Sequence, residues 1–279
     1  MVNISELREV APVHPAAPYI GGKKQLAARL CAMIETTPHD LYAEAFVGMG
    51  GVFLRRRAVP PTEAINDRNG DVANFFRILQ RHYQAFMDML KWQLTSRAEF
   101  ERLARQDGAT LTDLERAARF LYLQRVSFGG KVGGRTFGIS TTGPARFDTT
   151  RLGPILEAIH ERLSGVTIEC LDWRAFLERW DRPGALFYLD PPYYGTESFY
   201  EAPFPREDHS ALAKALEALK GRFILTMNDC EDSRAIYGRF PLTSVELSYT
   251  AGGSDNTKRV REIIVTSHNA SRSDLFGGL

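Results

Sequence analysis

The sequence predicts an α/β fold, in which strands alternate with helices and form a mainly parallel sheet. Short apolar runs at 40–45, 63–66, 166–170, 185–189, 222–227 and 261–266 are typical of strands, and helical spacing occurs at 24–35, 155–163 and 208–220. Three of the apolar runs are followed within two residues by an aspartate, namely Asp67, Asp172 or Asp190. Ligands bind at the carboxyl ends of parallel strands, so these acids predict a ligand site at that edge of the sheet.

A helical and basic segment interrupts the alternation between residues 75 and 150. Residues 112–115 match a helix capping box, and a Gly-rich stretch with aromatic residues follows. From Arg116 to Arg151 the chain carries seven basic residues against one acid, Asp148. Basic residues among glycines and aromatics favour nucleic-acid contact over a merely solvated helix face. The predicted organisation is a loose leader over 1–18, a catalytic domain from 19–74 and 151–268, a recognition insertion over 75–150 and a tail over 269–279.

Composition excludes several classes of protein. The chain has 279 residues, a net charge of +1 and three cysteines that are far apart in the sequence, without C-x-x-C spacing. We therefore expect no disulfide framework and no metal site. The start of the chain has no signal-peptide pattern, and no stretch approaches the roughly 20 apolar residues of a membrane span. These features predict a cytoplasmic location and no membrane partner.

The stretch YAEAFVGMGGVFL (42–54) indicates a strand, a glycine turn and a following helix. Glycines let the backbone approach a ligand, and a helix N-terminus offers free N–H donors, which suits an adenosine-containing ligand. Asp67, at the end of the next strand, is placed to accept both ribose hydroxyls. Lys23 follows Tyr19 and two glycines, and it could bind a carboxylate or a phosphate. NAD-dependent dehydrogenases share this strand-glycine-acid pattern and stay open as an alternative at this point, although the incomplete glycine fingerprint speaks against them.

Residues 188–195, YLDPPYYG, place an acid on a rigid turn after a buried strand. Pro191 and Pro192 stop the strand because neither can donate a ladder hydrogen bond and both fix φ. Two tyrosines follow. The sequence therefore predicts a carboxylate held in a fixed position beside aromatic rings.

Taken together, these motifs resemble the Dam-like (D12 class, α group) DNA adenine N6-methyltransferases over roughly residues 17–268. The resemblance rests on four motifs in the family's order: Tyr19–Lys23, Glu44–Gly50, Asp67–Asn69 and, after the insertion, Asp190–Tyr193. It implies a Rossmann-like sheet that depends on S-adenosylmethionine (SAM), with an inserted helical and basic-hairpin domain that recognises DNA. It also implies methyl transfer to N6 of an adenine flipped out of duplex DNA.

The resemblance assigns roles to individual residues. Asp190 and the Pro191 carbonyl would hold the two N6 protons, Pro192 would stiffen the turn, and the base would stack on Tyr193. SAM brings its own leaving group, so the reaction requires no metal. The residues that the resemblance places at the cofactor are Tyr19, Gly22, Lys23, Glu44, Phe46, Gly48, Gly50, Asp67, Asn69, Asp172 and Asp190.

The insertion supplies the candidate DNA contacts. Gln can read adenine, Arg or Lys can read guanine, and a Phe can wedge between bases. The candidates are Gln124, Arg125, Phe128, Lys131, Arg135 and Arg146. This stretch departs from the Asn-Arg pattern of better-known members, so the recognition sequence stays open.

Two further alternatives remain at this point. One is an amino-methyltransferase acting on cytosine N4 or on RNA, because both need the same acceptor geometry. The other is a non-catalytic DNA-binding scaffold of the same fold. The resemblance favours a monomer, and a cognate restriction enzyme as partner is left open.

Overall fold

The computed structural model describes residues 7–19, 21–130, 134–138, 143–195, 204–250 and 257–268, apart from the side chains of 248–250 and 257–258. The strands are β1 (Arg8–Glu9), β2 (Leu41–Glu44), β3 (Ala58–Val59), β4 (Thr62–Asn66), β5 (Thr167–Glu169), β6 (Ala185–Leu189), β7 (Arg222–Asn228), β8 (Leu242–Thr250) and β9 (Thr257–Thr266). The helices are α1 (Ala27–Thr36), α2 (Gly70–Leu90), α3 (Arg97–Arg105), α4 (Asp113–Val126), α5 (Thr149–Arg162), α6 (Trp173–Trp180), α7 (Arg206–Glu217) and α8 (Glu231–Tyr237).

Seven strands form the central sheet, in the order β5-β4-β2-β6-β7-β9-β8. The first five are parallel, and β9 runs antiparallel between β7 and β8. The central strands β2 and β6 are buried along their whole length, as continuous apolar runs with helices on both faces require. The predicted α/β fold is confirmed.

The chain changes direction within the sheet at β2. It runs from β2 outward to β4 and β5, and then returns to place β6 on the other side of β2. Loops leaving the carboxyl ends of β2 and β6 therefore diverge and leave a crevice between them. This crevice is where the motifs of the sequence converge.

Side chains from the two faces of the sheet pack into two apolar cores. Tyr42, Tyr188 and Ile224 face a core shared with α1, α2, α4 and α5. Phe187 and Leu225 face the opposite core, which includes residues of α6, α7 and α8. The helices of the insertion thus pack into the same core as one face of the sheet. In the described residues, no helix is both long and apolar enough to cross a membrane.

Two expectations about local structure are wrong. The helix expected after the glycine turn is a short 3-10 turn, Phe53–Arg55, because β3 and β4 follow within a few residues and leave no length for a helix. The leader is not loose from residue 7 onward. There β1 pairs with β3, and the amide of Val13 donates to the carbonyl of Leu54 at 2.8 Å.

The sequence patterns also missed several elements. Helices α6 and α8 and strand β8 were not predicted, and α2 runs across the proposed boundary between residues 74 and 75. The capping box of α4 is present as predicted, with Thr112 and Glu115 bonded reciprocally. The division of the chain into a catalytic domain and an insertion stays a proposal, since both share one apolar core.

Candidate active site

A cavity of about 550 Å³ opens at the carboxyl ends of β2 and β6. Most of the residues that the sequence analysis predicted to bind the cofactor line this cavity. These are Tyr19, Gly22, Lys23, Glu44, Phe46, Gly48, Asp67, Asn69 and Asp190, with Pro192 and Arg125 also in the wall. Gly50 and Asp172 do not line it.

The glycine turn after β2 forms the floor beside Asp67. Gly48 has φ +50°, and a Cβ there would lie 2.9 Å from the Tyr19 ring, so only glycine lets the ring and the backbone approach this closely. Gly50, at φ +74°, shapes the same turn. The predicted helix N–H donors are absent from this turn, because no α-helix follows it.

Asp67 is tied to the glycine turn through backbone amides. Its Oδ2 accepts from the amide of Gly48 and its Oδ1 from the amide of Asn69, both at 2.9 Å. Burial raises the pKa of Asp67 to about 6, although these two amides oppose the rise. Each oxygen keeps a lone pair with which it can accept a hydroxyl from a ligand.

Lys23 and Asp190 form an ion pair in the wall of the cavity. The Lys23 ammonium lies 2.7 Å from Asp190 Oδ1, and the side chains are 3% and 18% exposed. The ammonium also donates to the Gly21 carbonyl at 2.9 Å and lies 4.6 Å from the centre of the Tyr193 ring. Burial raises the pKa of Asp190, whereas the Lys23 charge opposes the rise.

Two residues beside Asp190 were missed by the sequence reasoning. The Thr226 hydroxyl donates to Asp190 Oδ1 at 2.9 Å, and the Tyr188 hydroxyl lies 3.0 Å from the Thr226 oxygen. Both residues are fully or almost fully buried. A threonine within an apolar strand carries no sequence signal of function, since Thr is common in strands.

Glu44 is a second buried acid in the cavity wall. The Tyr42 hydroxyl donates to its Oε2 at 2.6 Å. Burial raises the pKa of Glu44 to about 8, and the nearby Asp190 charge contributes to this rise. Glu44 is therefore mainly protonated at neutral pH and adds little negative charge to the cavity.

Three aromatic rings form a further wall of the cavity. Phe204 meets Phe46 edge to face with ring centres 5.7 Å apart, and it lies 6.4 Å from Trp173. All three rings line the cavity. Asp172 does not, because its side chain caps α6 by accepting from the amide of Arg174 and pairs with Arg68 at 3.4 Å. The expectation that Asp172 lies beside a cofactor adenine is not supported by this orientation.

The remaining residues of the Asp-Pro-Pro-Tyr turn differ in exposure. Pro191 is buried, and Pro192 lines the cavity. Tyr193 is partly buried and packs against the core that contains α6 and α7. Its predicted stacking against a base stays a prediction.

Gln124 lies in the interior rather than on a DNA-facing surface. Its side-chain nitrogen donates to the carbonyls of Pro18 and Gly130 at 2.8 and 2.6 Å, and the residue has no exposed area. The neighbouring Arg125 donates to the Ala16 carbonyl at 2.8 Å and lines the cavity. This placement contradicts a direct base-reading role for Gln124, because reading a base would require breaking both buried hydrogen bonds.

The basic hairpin begins at the end of α4. The amide of Phe128 donates to the Thr136 carbonyl at 2.9 Å, and Ser127 pairs with Phe137. Phe128 is 60% exposed, Arg135 is partly buried, and Arg146 donates to the Ser127 carbonyl at 3.1 Å. Lys131 lies outside the described residues.

We expect Gln124→Ala to lower the free energy of unfolding by about 1–3 kcal/mol, because two buried carbonyls lose their donor. Urea denaturation measures this change. The matched control is Gln84→Ala, which removes an exposed amide on α2 and should change stability by less than about 0.5 kcal/mol. A Gln124→Ala protein that is as stable as wild type but loses DNA affinity would restore the base-reading assignment.

Comparison with solved structures returns proteins with low similarity to this chain. An rRNA methylase from Streptococcus thermophilus has a TM-score of 0.29 at 12% identity, with 86% of this chain and 97% of that chain covered. The rRNA methyltransferase aviRa from Streptomyces viridochromogenes has a TM-score of 0.32 at 14% identity, covering 92% and 86%. Likenesses of this degree carry no argument about activity.

Comparison of sequences is more specific. The type II methyltransferase M1.LlaDCHI of Lactococcus lactis subsp. cremoris is 25% identical over 277 residues, which cover 92% of this chain and 96% of that protein. The DNA N-6-adenine-methyltransferase of Escherichia phage P1 is 28% identical over 162 residues, covering 54% of this chain and 20% of that protein. The family of D12 class N6 adenine-specific DNA methyltransferases matches residues 19–251. These residues include every motif that lines the cavity, and the chain belongs to this family of enzymes that methylate adenine in DNA.

Proposed function

We propose that the cavity binds SAM and that Asp190 orients the N6 amino group of a flipped adenine towards the SAM methyl group. The observation that carries this proposal is a partly buried carboxylate, Asp190, in the wall of the same cavity that holds Asp67 and Lys23. Acceptors fixed before the substrate arrives lower the cost of reaching the reactive geometry. When bound, SAM supplies a methyl group on a sulfonium that leaves as a neutral thioether.

The cavity offers a partner for each end of SAM. Asp67 keeps an acceptor lone pair on each oxygen for the ribose hydroxyls. The aromatic wall of Phe46, Trp173 and Phe204 suits the adenine ring. Lys23 uses two of its three N–H donors on Asp190 and Gly21, which leaves one for the methionyl carboxylate.

Asp190 provides a hydrogen-bond acceptor for the target amine. The lone pair of an adenine N6 is delocalised into the ring, so the amine is a poor nucleophile until its protons are held. A carboxylate that accepts one N6 proton draws the nitrogen towards tetrahedral geometry, and Pro191 and Pro192 keep that acceptor from moving. The Pro191 carbonyl is the proposed second acceptor.

The insertion is the proposed DNA-binding surface. It carries an excess of basic residues, and the ring of Phe128 is exposed at the start of the hairpin. An exposed aromatic ring beside basic side chains suits insertion between bases, with the cations contacting phosphates. A monomeric state remains a prediction from family resemblance, and a restriction-enzyme partner is left open.

The direct test is methyl transfer from labelled SAM to unmethylated duplex DNA. We expect wild type to form N6-methyladenine, identified by mass spectrometry of digested nucleosides. Asp190→Ala should lower kcat by about 10²- to 10³-fold, because the amine loses its fixed acceptor. Asp232→Ala, an exposed acid on α8, is the matched control and should keep wild-type activity. Methylated cytosine as the product, or DNA binding without methylation by wild type, would contradict the proposal.

The affinity for SAM should depend on pH through Asp67. The raised pKa of about 6 means that Asp67 protonates as the pH falls through 6 and then loses acceptor strength for the ribose. We expect the Kd for SAM, measured by calorimetry, to rise about tenfold between pH 7 and pH 5. Asp67→Asn should bind more weakly at pH 7 and lose this acid limb. An equal loss of SAM affinity at low pH in wild type and Asp67→Asn would mean that another group titrates.

Lys131→Ala should weaken DNA binding and reduce the slope of log Kd against log salt concentration by about 0.9, since one phosphate contact is lost. Fluorescence anisotropy over a salt series measures the slope. Lys214→Ala, an exposed lysine on α7, should leave it unchanged. A changed methylated sequence in Lys131→Ala would mean that Lys131 contacts a base instead.

A further inference from the structure

The arrangement around Asp190 leaves its two carboxylate oxygens in different surroundings. In the described part of the chain, both polar contacts of this carboxylate fall on Oδ1, one from Lys23 at 2.7 Å and one from Thr226 at 2.9 Å. Oδ2 receives neither. The side chain keeps 18% exposure in the cavity wall.

Sheet register explains why Thr226 reaches Asp190. β6 and β7 are parallel with Leu189 opposite Leu225, so the next pair along the strands is Asp190 and Thr226. Tyr188 lies two residues before Asp190 and therefore points to the same face. Three polar side chains thus meet on one face of two neighbouring strands.

The two hydrogen bonds that link Tyr188, Thr226 and Asp190 run in one direction. A hydroxyl can donate one hydrogen bond, and Thr226 donates its hydrogen bond to the Asp190 carboxylate. The contact at 3.0 Å between Tyr188 and Thr226 then requires the phenol to be the donor. Burial raises the pKa of Tyr188 well above its ordinary value, so the phenol keeps the proton that it donates.

We infer that Thr226 is a positioning residue for methyl transfer: its hydrogen bond fixes the Asp190 carboxylate so that Oδ2 faces the target amine. Tyr188 in turn holds the Thr226 hydroxyl in place. This inference rests on the proposed function and deepens it. Without the Thr226 hydroxyl, the Lys23 ammonium alone holds Oδ1, and the carboxylate can rotate about its own bond. Oδ2 of Asp190 would then no longer be held in the orientation that accepts the hydrogen bond from the target amine.

Other ionisable groups also surround Asp190 and must be considered in any pH measurement. Lys23 lies before α1, Glu44 is on β2, and Glu262 is on β9. Burial and the Glu262 charge raise the pKa of Asp190, while the Lys23 charge and the Thr226 hydrogen bond lower it. Removing the Thr226 hydroxyl therefore shifts the pKa of Asp190 upward.

Thr226→Val tests the inference because it keeps the shape of the side chain and removes the hydroxyl. We expect kcat to fall roughly 10- to 100-fold, the effect of losing one hydrogen bond to a charged group, while KM for DNA and Kd for SAM change by less than about threefold. The acid limb of the kcat profile should move to higher pH. Thr226→Ser keeps the hydroxyl and should recover most of kcat and the wild-type limb.

Tyr188→Phe tests whether the two hydroxyls act in series. We expect a smaller loss of kcat than in Thr226→Val, since Thr226 still donates to Asp190. The double variant Tyr188→Phe/Thr226→Val should be no slower than Thr226→Val alone. Additive losses of kcat would mean that Tyr188 contributes through packing and does not act through Thr226.

A measurement independent of methylation separates this inference from the proposed function. Carbon NMR of protein labelled at the aspartate carboxyl carbon, with the Asp190 signal identified by its loss in Asp190→Asn, follows the ionisation of Asp190 directly. We expect an upward pKa shift in Thr226→Val and none in Thr226→Ser. If wild type does not methylate adenine but this shift occurs, the proposed function fails, whereas the hydrogen bond by which Thr226 fixes Asp190 stands. An active wild type with an unchanged titration and an unchanged kcat in Thr226→Val would overturn the inference.

Discussion

The ion pair between Lys23 and Asp190 is the interaction on which the site depends. It joins the segment before α1 to the end of β6, and both side chains are largely buried. A buried carboxylate without a cation would take up a proton and lose its acceptor strength, since burial disfavours the charged form. Lys23 therefore preserves the charge of Asp190, while Thr226 sets its direction. The rest of the cavity is arranged around a carboxylate that is both charged and fixed.

The sheet accounts for the meeting of residues that are distant along the chain. The reversal of strand order at β2 opens a crevice between β2 and β6, and the glycine turn, Asp67 and Asp190 all lie at its edge. The proposed insertion reaches the same crevice through Arg125, and its residues Gln124 and Arg125 hold the backbone of residues 16–18. The segment that carries Tyr19 is thus held between the insertion and the glycine turn. The residues predicted to read DNA and those predicted to hold the cofactor belong to one packed unit.

Sequence reasoning identified the cavity because three of its four motifs end parallel strands, and such ends meet at one edge of a sheet. It failed where the direction of a side chain depends on packing. Gln124 is polar on a helix beside basic residues, and its burial against Pro18 has no pattern in the sequence. Thr226 is an ordinary strand residue until the register with β6 is known. The expected helix after the glycine turn failed because the length of the connection, rather than the glycines, decides what fits there.

The most direct measurement is a crystal structure of the protein with S-adenosylhomocysteine and a duplex that contains its target adenine. We expect N6 of the flipped adenine to lie about 2.9 Å from Asp190 Oδ2 while Thr226 still donates to Oδ1. We also expect the ribose hydroxyls of the cofactor to contact Asp67. A complex in which the adenine amine bonds to other groups, with Asp190 turned away from it, would contradict the proposed role of Asp190.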